Sequence, residues 1–232
     1  MPWRQHSKVA RIVGAVKLIT TATLLLWLFA DPFWVAETPR QWTDEQIETL
    51  LSYSPWAMMM QAPVGEFPAA QTYLATAEPI REAEQEMKRR AETHDPRGDE
   101  TPSRKAEFDP YAEEYQQWLD EFGPTHVILA IRISHQEAYY DADELDEMEK
   151  ESVMRLAGRK VRMTGYFPPS DKDPFLRIAF PKDLSKLNLS DLPKSLKNEK
   201  VRFELYVPGV SGPYRAAEFR LADLVLNGKL EL

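Results

Sequence analysis

Val201, Phe203, Leu205 and Val207 are apolar, and Arg202, Glu204 and Tyr206 stand between them. No feature of this chain restricts its fold more. A period of two places every other side chain on one face of a strand, so the segment needs a covered face and a wet one. The same alternation runs through Val161, Met163, Gly165 and Phe167, set against Arg162, Thr164 and Tyr166. It returns at Ala217, Phe219 and Leu221 after the turn "PGVSGP". "FPPSDKDP" turns the chain into "FLRIAF". Consecutive alternating strands joined by tight turns predict an antiparallel sheet, a meander in the C-terminal part. "THVILAIRIS", residues 125–134, differs: it is apolar on both faces from Val127 to Ala130, as in a strand central to a sheet.

Helices are predicted beside this sheet. Trp42-Thr43-Asp44-Glu45-Gln46-Ile47 reads as a helix start, with Thr43 as cap, Gln46 reaching back, and Trp42 and Ile47 at the staple positions. Ile47, Leu50 and Leu51 form one apolar stripe, and Pro55 requires the helix to stop near Tyr53. "SPWA" then turns a corner that plants Trp56 against the new helix, and strands are predicted at Ala57–Gln61 and Gln71–Thr76. On the first of them Met58 and Met60 point one way and Met59 the other. These methionines read as core filler, with a ligand groove as the alternative. Pro79 opens a second helix to about Glu92, and Asp109-Pro110 opens a third that ends at Phe122 before Gly123-Pro124. Leu145, Met148, Ser152 and Leu156 recur at helical spacing, with Gly158 as the stop. The fold class is therefore α+β: helices packed on a mainly antiparallel sheet.

Residues 1–30 hold Arg4, Lys8, Arg11 and Lys17 and no acid, and Leu18 to Ala30 is uncharged. A basic segment followed by an apolar one is the pattern of a secretory signal. The stretch from Ile12 to Ala30, with Lys17 near its basic end, is also long enough for a membrane anchor. Cleaved and uncleaved forms both remain open. The expected organisation is a signal peptide or N-terminal anchor over residues 1–36 and a single exported α+β domain over 37–232. A flexible loop is expected near 94–107, where "ETHDPRGDETPSRKAEFDP" is polar and rich in proline. The positive end stays cytoplasmic, so the domain faces outward, in the periplasm or anchored to the inner membrane. With no cysteine, neither a disulfide nor a lipid-attachment thiol is available.

Charge narrows the partners. The net charge of −8 becomes −12 once residues 1–30 are removed, which argues against nucleic acid. A membrane is met through the N-terminal segment if it is uncleaved. Common chemistries are mostly missing. "GVSGP", residues 209–213, opens like a nucleophile elbow, but Pro213 replaces the closing glycine and the stretch joins two strands. Arg97-Gly98-Asp99 is too short a match to carry a function. No phosphate-binding glycine loop or dinucleotide fingerprint is present, and no cofactor is expected. His126 and His135 are nine positions apart, so one regular strand would point them to opposite faces. His135 and Glu137 would share a face, which makes them the catalytic candidates. Two ligands do not make a zinc site, a surface ion pair is the plainer reading, and no metal is expected. "DADELDEMEKE" resembles a calcium loop, but Asp146 fills the glycine position counted from Asp141; a solvated acidic helix face fits better.

"QWTDEQIETLLSYSPWA", "ATAEPIREA" and the C-terminal "LADLVLNGKLEL" resemble uncharacterised bacterial exported proteins of acidobacterial type. Those proteins carry a Trp-Ser/Thr-Asp/Glu-Glu start, a Leu-Leu pair and Ser-Pro-Trp-Ala just after a signal segment. The resemblance covers both ends of the exported part and implies a shared fold signature, with no activity attached. Three functional expectations follow. The first is a non-catalytic envelope module that binds or scaffolds an envelope protein partner. The second is an extracytoplasmic hydrolase using scattered acids or histidines. The third is a carrier for a small apolar ligand near Trp56 to Met60.

Overall fold

Thr43 caps its helix as its sequence context predicts. In the computed structural model, which describes residues 31–60, 70–93, 110–133, 141–170, 173–209 and 213–232, the Gln46 N–H donates to Thr43 Oγ1 at 3.1 Å. The Thr43 N–H donates to the Gln46 side-chain oxygen at 2.6 Å, so the capping box closes in both directions. The chain forms two units, divided between Trp42 and Thr43. In the first, helix α1 is Phe33–Ala36, and the ring of Phe33 meets Trp42 edge-on at 5.7 Å.

The second unit holds helices α2 (Asp44–Ser52), α3 (Glu78–Thr93), α4 (Pro110–Phe122) and α5 (Ala142–Glu151). Strands β1 (Ala57–Met60), β2 (Ala70–Leu74), β3 (His126–Arg132), β7 (Phe175–Pro181) and β6 (Gly165–Phe167) make a five-stranded antiparallel sheet in that spatial order. Strands β5 (Arg159–Arg162), β4 (Val153–Leu156), β8 (Lys200–Tyr206) and β9 (Tyr214–Arg220) make a four-stranded one. A hairpin of β10 (Val225–Leu226) and β11 (Lys229–Leu230) closes the described chain. The class is α+β with mainly antiparallel sheets. β3 is the middle strand of its sheet, as its two-sided apolar run requires, and Val127 to Ile131 are all buried.

Pairing register assigns the faces of the first sheet. Ala57, Tyr73, Ala130, Arg177 and Phe167 lie in one row across all five strands. Tyr73 and Arg177 both bond Glu84 of α3, so this row lies under the helices. Val127, Leu129, Ile178 and Phe180 project to the other face, where Phe180 meets Phe203 of the second sheet at 5.4 Å. Val201, Phe203 and Leu205 are buried and Arg202 is exposed, as the alternation predicts.

Two expectations are corrected. The helix predicted to run to Gly158 ends at Glu151, and Val153–Leu156 is strand β4. Ala157 (φ 49°) and Gly158 (φ 75°) both adopt the left-handed region. Two such residues form the turn that matches strand twist, so Gly158 ends a hairpin and not a helix. The single strand expected over Val161 to Phe167 is two strands in different sheets: β5 pairs with β4, and β6 pairs with β7. Alternation continues across the break at Met163-Thr164, which is why the sequence conceals it.

Candidate functional site

His135 and Glu137, the catalytic candidates, lie outside the described residues, as do the loop at 94–107 and Ser211. His126 is described, and it leads to the cleft. α4 crosses the helix-side face of the first sheet near its β6 edge. Trp118 and Phe122 recur at i, i+4 on α4 and stand together, with rings 5.3 Å apart. His126, at the start of β3, meets Trp118 at 5.1 Å and Phe122 at 6.0 Å. Phe167 of β6 completes the set at 5.8 Å from Trp118. His126 Nδ1 lies 3.2 Å from the carbonyl oxygen of Phe122 and 3.0 Å from Thr125 Oγ1, which fixes the imidazole plane. These rings line a cleft of about 320 Å³ that Glu114, Thr164 and Gly165 also border. Glu114 supplies the carboxylate among the described lining residues.

Behind the cleft lies a buried charge cluster. Tyr115, one position from Glu114, packs its ring edge-on to Phe167 at 5.2 Å. The Arg177 guanidinium sits 4.5 Å from the centre of that tyrosine ring, a cation–π contact out of water. Arg177 Nη2 donates to Glu84 Oε1 at 2.8 Å, Arg177 Nη1 donates to Asp173, and the Tyr73 hydroxyl donates to Glu84 Oε1 at 2.7 Å. Burial, then the Glu84 charge, pushes the Tyr73 hydroxyl well up; the same causes in the same order raise Tyr115. Burial opposes the Arg177 charge, but Glu84 and the surrounding oxygens hold its pKa above the ordinary value. The tyrosines therefore stay protonated and the arginine stays charged. That composition suits a rigid support for Tyr115 and Phe167.

A third junction unites the segments that carry the sequence resemblance. The Trp56 indole N–H donates to the main-chain oxygen of Glu231 at 3.1 Å. The Glu231 carboxylate accepts from the N–H of Glu78, first residue of α3, at 3.2 Å, so a residue 153 positions away serves that helix start. Lys182 Nζ donates to the main-chain oxygen of Leu232 at 2.9 Å, and burial lowers its pKa. Asn227 (φ 49°) and Gly228 (φ 77°) make the turn that brings Glu231 back to this point. "SPWA", "ATAEP" and "KLEL" are thus one packed unit. Trp56 and Met60 are buried there, while Met58 and Met59 are half-buried.

Sequence reasoning missed the cleft, because its rings come from α4, β3 and β6 and no local spacing joins them. The i, i+4 pair Trp118–Phe122 was the one legible sign. No helix among the described residues is long and apolar enough to cross a membrane. Comparison with known proteins finds no matching family model, no matching curated protein and no matching solved structure.

Proposed function

We propose that this chain is an exported, non-catalytic binding module of the cell envelope, and that the cleft between α4 and β6 receives an extended segment of an envelope protein bearing a cationic side chain. One observation carries the reading: the rings of Trp118, Phe122, His126 and Phe167 converge on an open cleft bordered by Glu114. Ring faces attract a cation through their quadrupole, and a carboxylate at the rim adds charge to that attraction. Among the described residues β6 is the edge strand of its sheet, next to β7, and an extended partner could add to that edge. The basic and apolar N-terminal segment and the resemblance of "SPWA" to exported bacterial proteins support the envelope address.

The test is affinity capture from envelope extracts with the full-length protein and two variants, Trp118→Ala and Glu114→Lys. A partner that is held by the wild type should be lost with Trp118→Ala and weakened with Glu114→Lys. Recovery of the same proteins by all three would overturn the cleft as the binding site.

A further inference from the structure

The outer face of the second sheet is basic in a chain whose net charge is −8. Register puts Lys160, Arg155 and Arg202 in one row across β5, β4 and β8, and each is exposed. Arg162 and Lys200 flank the row on the same face. Against these stand Glu204, which accepts from Arg155 at 3.0 Å and lies 3.3 Å from Arg202, and Glu218, which accepts from Lys200 at 2.6 Å. The Arg155 hydrogen bond, with Arg155, Arg202 and Lys160 nearby, holds the Glu204 carboxyl below its usual range. Lys160 and Arg162 make no ion pair among the described residues. Arg155, Lys160, Arg162, Lys200 and Arg202 thus share two acids, Glu204 and Glu218, the second opposite Arg202 in register, and the face keeps a surplus of positive charge.

That charge exists elsewhere on the same face. α5 covers the other end of the outer surface: Met148 is buried beneath it, and the Tyr206 hydroxyl donates to Glu144 Oε2 at 3.0 Å. Asp143, Asp146 and Glu149 recur every three positions along its exposed flank. The face is therefore half acidic ridge and half open basic sheet. A ridge beside an open floor of opposite charge is complementary to its own image under a twofold rotation.

We propose that this face binds a second copy of the chain, with α5 of each copy laid on the Arg155–Arg202 row of the other. The twofold axis makes both contacts identical, so every charge pairing occurs twice. The interface does not use the aromatic cleft and stands or falls apart from it.

Sedimentation equilibrium of the full-length protein in detergent tests this. At low ionic strength the mass should be twice the 26.8 kDa of the chain. It should return to that of the monomer near 1 M salt, where the Debye length is about 3 Å. Two charge-reversed variants sharpen the test: Arg155→Glu with Lys160→Glu, and Asp146→Lys with Glu149→Lys. Each alone should be monomeric, because like charges then face each other at both contacts. An equimolar mixture should restore the dimer, since each reversed ridge meets a reversed floor. A wild type that stays monomeric at low salt would overturn the proposal. So would a dimer that survives both reversals unchanged.

Discussion

The Trp56 indole N–H and the Glu231 main-chain oxygen are 3.1 Å apart in space and 175 positions apart in sequence. The corner at residues 54–57 is therefore held by the far end of the described chain as well as by the helix before it. Trp56 is 1% exposed. Trp56→Ala should cost about 3–5 kcal/mol, the range for emptying a large buried aromatic site. Trp56→Phe keeps most of the volume but leaves the Glu231 oxygen unpaired, at about 1–3 kcal/mol. Changing Met58, Met59 and Met60 to Leu should cost under about 1.5 kcal/mol each, since volume is nearly kept. Denaturation midpoints of the four proteins would rank them. A Trp56→Ala midpoint equal to wild type would show that the corner is not structural.

Arg177 links α3, α4 and the first sheet through Glu84, Asp173 and the Tyr115 ring. Arg177→Met leaves Glu84 without its cation in a partly buried place. Removing one member of a buried pair costs about 3–5 kcal/mol. Urea titration should show the loss, and the Tyr115 ring should become less ordered by aromatic proton spectra. A shift of under about 1 kcal/mol, the scale of an exposed ion pair, would mean the cluster is effectively solvated.

Glu86 is buried on α3, and Arg89 donates to both of its oxygens at 2.8 and 2.6 Å, with Arg90 adding a third bond at 2.8 Å. The Arg89 hydrogen bonds lead in lowering its carboxyl from 4.5 to about 2. A depressed acid stabilises the fold above its unfolded pKa and loses that contribution as pH falls through the folded one. Wild-type stability should thus decline between pH 4.5 and about 2. Glu86→Gln should flatten that part of the profile. An unchanged slope in the variant would remove Glu86 from the acid response.

The proposed export rests on the uncharged run from Leu18 to Ala30. Replacing Leu25 and Leu26 with Arg should strand the protein in the cytoplasm, since each charge at the centre of an inserting helix costs about 2.5–3.5 kcal/mol. Unchanged cell fractionation would refute the envelope address.

Local signals were legible wherever a few neighbouring residues fix the backbone. Thr43 with Gln46 set the start of α2, and Pro55 set its end at Ser52. The alternation from Val201 to Val207 assigned the covered face of β8. What could not be read was decided by distant partners. Arg177 sits between Leu176 and Ile178 and could be taken for a solvent-facing strand residue; its burial depends on Glu84, 93 positions earlier. Leu145, Met148, Ser152 and Leu156 fit a helical period, but the Ala157-Gly158 turn and pairing with β5 and β8 draw the second half into a strand. The cleft is the extreme case, with Trp118 and Phe167 on opposite sides of two crossings between sheets.

Those crossings have a consequence for synthesis. The chain leaves the first sheet after β3, builds β4 and β5 in the second, returns for β6 and β7, and leaves again for β8 and β9. β3, buried along most of its length, gains its second neighbour only when β7 arrives, through seven pairs from His126↔Pro181 to Arg132↔Phe175. A nascent chain stalled before that point presents an apolar strand with a bare edge, the kind of template that recruits other strands. Between the emergence of residue 132 and that of residue 175, one edge of β3 is without the partner that covers it in the finished fold.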